Sequence, residues 1–382
     1  MKYDFDEIIP RRGTKSIKWD NDNARDCLPL WVADMDFRVS RPILDALQKR
    51  VNHGLMGYAY KPEEYYESVI NWYRRRHGWT IDREQILCTA GIIPTLSAII
   101  QAMSKEGGQV AIHVPSYNCF FESPVNAHRI LSRINLLNTD NHYEIDWQAM
   151  EEGLQAADMF ILCNPHNPTG RVWTRDELQG IDRLCRRYGV FVVADEIHAP
   201  LAFPGIDYTP YATVAEGDNY CVCTSSTKAF NTAGLPISNI IVPNRDIRER
   251  LKEHIEMNRV GDVGPLALET LMAAYDESED WLDQAREYIH DNYLYLCYWA
   301  EQYKSLVQPM RMEGTYLVWM KIADTGMDAT TLTERLREEQ KLMINAGKMY
   351  GDDRYVRINI ACPRKIVEEA LLRFGNFLDP LL

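Results

Sequence analysis

Positive charge is in short supply. Against 55 Asp and Glu the 382-residue chain sets 42 Lys and Arg, a formal net charge of -13 at pH 7. A surface of that sign argues against nucleic acid or an anionic membrane as partner. Long apolar runs are missing too, and no window approaches the ~20 residues that a membrane-spanning helix needs. The opening stretch, "MKYDFDEIIPRRGTKSIKWD", is charged and lacks the apolar core of a signal peptide. The nine cysteines are scattered, odd in number and without a CxxC pair. That excludes a disulfide framework in favour of reduced, buried thiols, so a cytoplasmic location is expected. Repeats and low-complexity linkers are absent, and nothing asks for a metal ion.

What is present is an ordinary globular composition, 46% hydrophobic and 25% charged, in a chain long enough for two domains. Helical periodicity marks "RPILDALQKRVNH" and "PEEYYESVINWYRRRHG". From about Gln85 short apolar runs alternate with amphipathic ones. "QILCTA", "QVAIHV", "RILSRINL", "MFILC", "VFVVADE", "NYCVCTS" and "SNIIVP" read as strands, mostly separated by helices. Continuous apolar strands of this kind belong in a mainly parallel seven-stranded sheet covered on both faces, an α/β architecture. After Gly264 the rhythm becomes α+β, with one helical stretch expected from Glu277 to about Ser305. The expected division is a large domain over 46–284, and a small one formed by 1–45, as an N-terminal arm, with 285–382.

In such sheets ligands sit beyond the carboxyl ends of the strands. "QILCT" is followed by Gly91, Ile92 and Ile93 at a helix start, where free N–H groups favour a phosphate. "QVAIHV" leads to Tyr117, a ring able to stack on a planar ligand. "MFILC" runs into "NPHNPTG", where prolines restrict the backbone beside Asn164 and Asn167. "VFVVA" ends at Asp195, an acid that is costly to bury without a positive partner. "NYCVCT" ends in Ser225-Ser226-Thr227-Lys228, hydroxyls beside an amine that desolvation would make nucleophilic. Each group alone has a bland explanation. Together they describe one ligand with a phosphate, a flat ring, a phenolic oxygen, a basic ring nitrogen and an aldehyde, which is pyridoxal 5'-phosphate.

"NPHNPTG", "DEIH" and "SSTKAF", in this order and spacing, resemble fold-type I pyridoxal-phosphate enzymes of the aminotransferase class I/II superfamily. "PLWVADMDF", "GYAY", "PSYNCFF", "EGTYLVWMKI" and "VRINIACPR" resemble its MalY/PatB group of cystathionine β-lyases, or C–S lyases, and the resemblance spans essentially the whole chain. It implies a Schiff base on Lys228, Asp195 against the ring nitrogen, and Asn167 on the ring oxygen. Tyr117 would stack, and His198 takes the place where many relatives carry tyrosine. Ser225 and the amides of Ile92 and Ile93 would hold the phosphate. Tyr58 would reach the phosphate of a neighbouring subunit, making a homodimer with shared sites, and Arg357 would clamp the substrate's α-carboxylate. One departure stands out. Where aspartate aminotransferases carry a phosphate-binding arginine eight residues after the lysine, this chain has Pro236.

The resemblance thus implies a β-lyase releasing thiol, pyruvate and ammonia from cystathionine or a related S-substituted cysteine. Transamination of an amino acid is the alternative within the same fold. A cofactor-binding regulator without turnover is a third reading, disfavoured because simple binding needs no carboxylate clamp.

Overall fold

The seven apolar stretches become one sheet. The computed structural model describes residues 3–382, and its large sheet contains β1 (Ile86–Thr89), β2 (Gln109–Val114), β3 (Ile130–Asn135), β4 (Ala157–Cys163), β5 (Phe191–Asp195), β6 (Tyr220–Thr224) and β7 (Ser238–Ile241). Their order is β1-β7-β6-β5-β4-β2-β3. Only β7 runs against its neighbours β1 and β6; the other pairings are parallel. Side chains alternate between the two faces of a strand. Phe160 and Leu162 of β4 therefore enter one core with Val192 and Ala194. Met159 and Ile161 enter the other, with Val193, Cys221 and Cys223. The two cysteines are core residues, as their spacing predicts.

Local chemistry sets where the elements stop. Helix Arg175–Tyr188 opens on a reciprocal Thr174–Glu177 capping box and closes on Gly189 in the left-handed region. The helical stretch expected from Glu277 onward is in fact divided. One helix ends at Glu277 and the next runs Glu279–Ala300. Between them the buried Ser278 hydroxyl donates to the Ala273 carbonyl at 2.9 Å and meets the Ser40 hydroxyl at 2.6 Å. A serine serving such partners competes with helical bonding. Helix Glu279–Ala300 itself runs unbroken through position 284. A hairpin not anticipated from the sequence joins Leu137–Thr139 to His142–Glu144, turning on Asp140 and Asn141, both at positive φ.

Beyond it lies a second, antiparallel sheet of β8 (Val307–Pro309), β9 (Leu317–Ile322), β10 (Asn345–Ala346) and β11 (Tyr355–Asn359), in the order β8-β9-β11-β10. The N-terminal segment joins this part of the molecule through Leu28–Pro29, which pairs in parallel with Leu342–Met343. It then crosses toward the carboxyl edge of the large sheet as a strap, residues 31–37. No helix among the described residues is long and apolar enough to cross a membrane.

Candidate active site

Because β1, β2, β4, β5 and β6 point the same way, their carboxyl ends line one edge of the sheet. A cavity of about 200 Å³ opens there, walled by Gly91, Ile92, Ile93, Tyr117, Asn167, Asp195, His198, Ser225 and Lys228, together with Ala33, Thr227 and Pro236. Two larger clefts, of about 670 and 820 Å³, lie beside Lys61 and Lys252 and beside Asn138 and Arg354. The smaller cavity is singled out by its chemistry, since a half-buried amine, a buried acid and a buried imidazole converge on it.

Each wall has a local cause. Gly91 adopts φ +119°, which a side chain would disfavour, and helix Ile92–Met103 begins immediately after it. The first amides of that helix therefore face the cavity unbonded within the helix. Tyr117 precedes helix Asn118–Asn126 and packs edge-on against Phe120. Of the two asparagines, Asn164 is consumed by its own turn: its side-chain oxygen accepts from the Trp173 amide at 3.1 Å. Asn167 alone reaches the cavity. Ser225 donates to the Ile237 carbonyl at 2.6 Å and accepts from the Thr227 amide at 3.1 Å, so its hydroxyl is held at the wall.

Burial dominates the electrostatics. It raises the Asp195 carboxyl to about 7, opposed by a hydrogen bond from the Ile197 amide and by the charge of Lys228. It lowers the Lys228 amine to about 8, assisted by Arg357 and opposed by Asp34 and Asp195. His198 is pushed down to about 3 by burial, then by Lys228 and Arg357, and stays neutral. Glu196, which the sequence reading left without a role, is buried behind Asp195, accepts from the Tyr211 amide at 2.7 Å and is raised to about 8.

Two expected residues stand apart from the cavity wall. Arg357, on β11, is only 4% exposed and belongs to no solvated surface. It donates to the Asn167 side-chain oxygen at 3.2 Å and to the Trp31 carbonyl at 3.2 Å, over the face of Tyr350. Tyr58 is fully exposed and meets none of the others within the chain. Two contributors escaped the sequence reading. Thr227 was seen only as a hydroxyl beside the lysine. Ala33 accepts from Lys228 Nζ at 2.8 Å and from the Tyr316 hydroxyl at 3.1 Å through its carbonyl, which no side-chain pattern reveals.

The residues fit pyridoxal phosphate. The helix start at Gly91 suits an anion, Tyr117 flanks the space for a ring, and Lys228 and Asp195 are a half-buried amine and a buried acid in one cavity. His198 Nδ1, Ser226 Oγ and Arg357 Nε are buried without a hydrogen-bond partner among the described residues. Of these His198 lines the cavity, and its orphaned ring nitrogen is a polar atom that a polar ligand would satisfy.

A profile of the family described as aminotransferase class I and II matches residues 25–374. The chain is 34% identical to cystathionine beta-lyase PatB of Bacillus subtilis, over 98% of this chain and 100% of that one. It is 31% identical to protein MalY of Escherichia coli, over 98% of each. Among solved structures it superposes on cystalysin of Treponema denticola, which contains a pyridoxal 5'-phosphate cofactor, with a TM-score of 0.96 and 31% identity over the full length of both. The pyridoxal-phosphate-bound C–S lyase of Staphylococcus hominis gives 0.91 and 28%, over 98% of this chain and 97% of that one.

Proposed function

The chain belongs to the aminotransferase class I and II family, and from that premise we propose that the sheet-edge cavity carries out a carbon–sulfur β-elimination with Lys228 as its proton carrier. The protein is a pyridoxal-phosphate-dependent C–S β-lyase of fold type I. The substrate is cystathionine or a related S-substituted cysteine. The observation that carries the assignment of roles is the half-buried amine of Lys228 sharing one cavity with the buried acid of Asp195.

Pyridoxal phosphate, when bound, supplies an electron sink for the bonds at the substrate's α-carbon. Lys228 would anchor it covalently, Asp195 would hold a proton at its ring nitrogen, and Asn167 would donate to its ring oxygen. Tyr117 covers its ring, while Ser225, Thr227 and the amides of Ile92 and Ile93 hold its phosphate. The Arg357 fork grips the α-carboxylate of the substrate. With its amine free, Lys228 would take the Cα proton. Burial has already lowered its proton affinity toward neutrality, where a general base works best. The same amine returns that proton to the departing sulfur, and hydrolysis of the remainder gives pyruvate and ammonia.

Residues 46–284 form the cofactor-holding domain in this reading, and 1–45 with 285–382 the smaller one. Two copies share their sites, each lending Tyr58 to the phosphate of its partner. Support comes from the apolar groups that one chain leaves exposed around it: Leu55, Met56 and Tyr60. The location is cytoplasmic. Incubation of the cofactor-loaded protein with cystathionine is expected to release pyruvate. Consumption of a keto acid in exchange for an amino acid, with no pyruvate formed, would replace the lyase by an aminotransferase.

A further inference from the structure

The strap over the cavity is held by side chains at nearly every carbonyl. Trp31 accepts from Asn345 and Arg357, Val32 and Asp34 from Asn359, Ala33 from Lys228 and Tyr316, and Met35 and Phe37 from Asn231. Beneath it sits a group of four charges. Asp36 binds Lys18 at 2.7 Å and Arg11 at 2.6 Å, and accepts from the Trp19 indole at 2.8 Å. Asp34 binds Arg11 at 2.8 Å and Lys18 at 3.5 Å. Lys18 and Asp36 are 1% and 5% exposed.

Removing two such ions from water is expensive, and a buried pair is weak reason to expect stability. Specific geometry is what such a pair can supply. The two carboxylates flank Met35, and Asp34 directly follows the carbonyl on which Lys228 rests. We propose that the quartet of Arg11, Lys18, Asp34 and Asp36 is a buckle that fixes the strap at the height where the Ala33 carbonyl and the Asp34 charge meet the Lys228 amine, making Lys18, Asp34 and Asp36 positioning residues for the proton carrier.

The inference rests on Lys228 as that carrier. The charged and titratable groups facing Lys228 come from several elements: Asp195 at the end of β5 and His198 after it, Cys119 in helix Asn118–Asn126, Arg357 on β11, and Asp34 on the strap. Asp34 is the one whose charge the buckle governs. A carboxylate near an amine favours its protonated form, so Asp34 works against the desolvation and the Arg357 charge that strip Lys228 of its proton. A loosened strap withdraws the carboxylate and the carbonyl together.

The test reads Lys228 in the cofactor-free protein. A small amine-acylating reagent is applied across a pH series, and acylation of Lys228 is followed by peptide mass spectrometry. Asp34→Asn, and the charge-balanced double substitution Lys18→Met with Asp36→Asn, should each move half-maximal acylation to lower pH, by about 0.5–1 unit. In the cofactor-loaded enzyme kcat should fall about tenfold, because the amine is misplaced, with KM nearly unchanged. Melting curves establish folding, and Asp34→Asn decides alone if the double variant does not fold. An unshifted acylation midpoint in the folded variants overturns the buckle. A wild-type protein that forms no pyruvate, yet shows the shifted midpoints, overturns the lyase reading and leaves the buckle standing.

Discussion

Arg357 donates to the side-chain oxygen of Asn167 at 3.2 Å, across 190 positions of sequence and from the small sheet to the edge of the large one. The contact joins the residue proposed for the substrate's carboxylate to the residue proposed for the cofactor's ring oxygen. The Asn167 side-chain carbonyl steadies the guanidinium, which leaves its amide protons for the proposed contact with the ring oxygen.

Arg357→Lys should therefore separate the two tasks. Lysine keeps the charge but cannot present two parallel donors to a carboxylate. We expect kcat/KM to fall about 100-fold, equivalent to ~2.7 kcal/mol, while cofactor affinity changes less than about threefold. Steady-state kinetics and a spectroscopic cofactor titration measure the two. Equal losses in both would remove Arg357 from carboxylate recognition.

Asp195 makes a prediction about stability against pH. Burial raises its carboxyl to about 7, above the ~3.9 of an unfolded chain. Between those values the native cofactor-free protein binds a proton that the unfolded chain has lost. Stability from this group is thus present at low pH and is lost as pH rises from about 4 to about 7. Asp195→Asn abolishes that loss. Relative to wild type the variant should gain roughly 2–4 kcal/mol across the interval, read from urea unfolding at stepped pH. A pH-independent difference between the two proteins would mean that Asp195 is not buried as an acid.

Tyr58 tests the shared site. Tyr58→Phe removes one donor to an ionised phosphate, so cofactor retention should weaken by about 10- to 100-fold. Tyr58→Ala and Lys228→Ala dimers, each inactive, should regain activity when their subunits exchange, because every mixed dimer then has one site with both residues intact. Zero activity after exchange, confirmed by mass, would return Tyr58 to its own subunit or to no role.

Gly170, in the "NPTG" turn, holds φ +75°, and a Cβ there would stand 2.7 Å from Met312 Cγ. Its carbonyl also accepts from the Glu313 and Gly314 amides at 2.8 and 3.1 Å. Gly170→Ala combines a left-handed backbone strain with a steric conflict, and should destabilise the fold by about 1–3 kcal/mol. Chemical denaturation measures it. A change within ~0.5 kcal/mol would show that the turn and Met312 relax freely.

The seven strands of the large sheet were legible because burial on both faces forces uninterrupted apolar runs such as "VFVVA". The site groups were legible because polar residues at the ends of such runs have few structural uses. What the sequence concealed is of three kinds. Ser278 breaks a helix with the help of Ser40, a tertiary partner 238 positions away that no local window contains. Ala33 acts through a backbone carbonyl, which carries no residue-type signal. The Lys18–Asp36 pair joins positions 18 apart, with Lys18 on a helix of only four residues, too short for periodicity to show; two aspartates inside the apolar "WVADMDF" were the available hint that cations would be found beneath.

Asn167, Asp195 and Lys228 are delivered by three different strand ends, with Gly91 and Tyr117 supplied by two more, while the strands that carry them pair through backbone and apolar contacts. Alteration of one loop leaves the sheet's register untouched. Chemical repertoire can therefore diverge one exit at a time, each intermediate still a folded protein. Pro236, which also walls the cavity, sits on the loop that follows Lys228 and can vary in the same way. A library that varies single exits of this scaffold should accordingly yield altered specificities more often than misfolded chains.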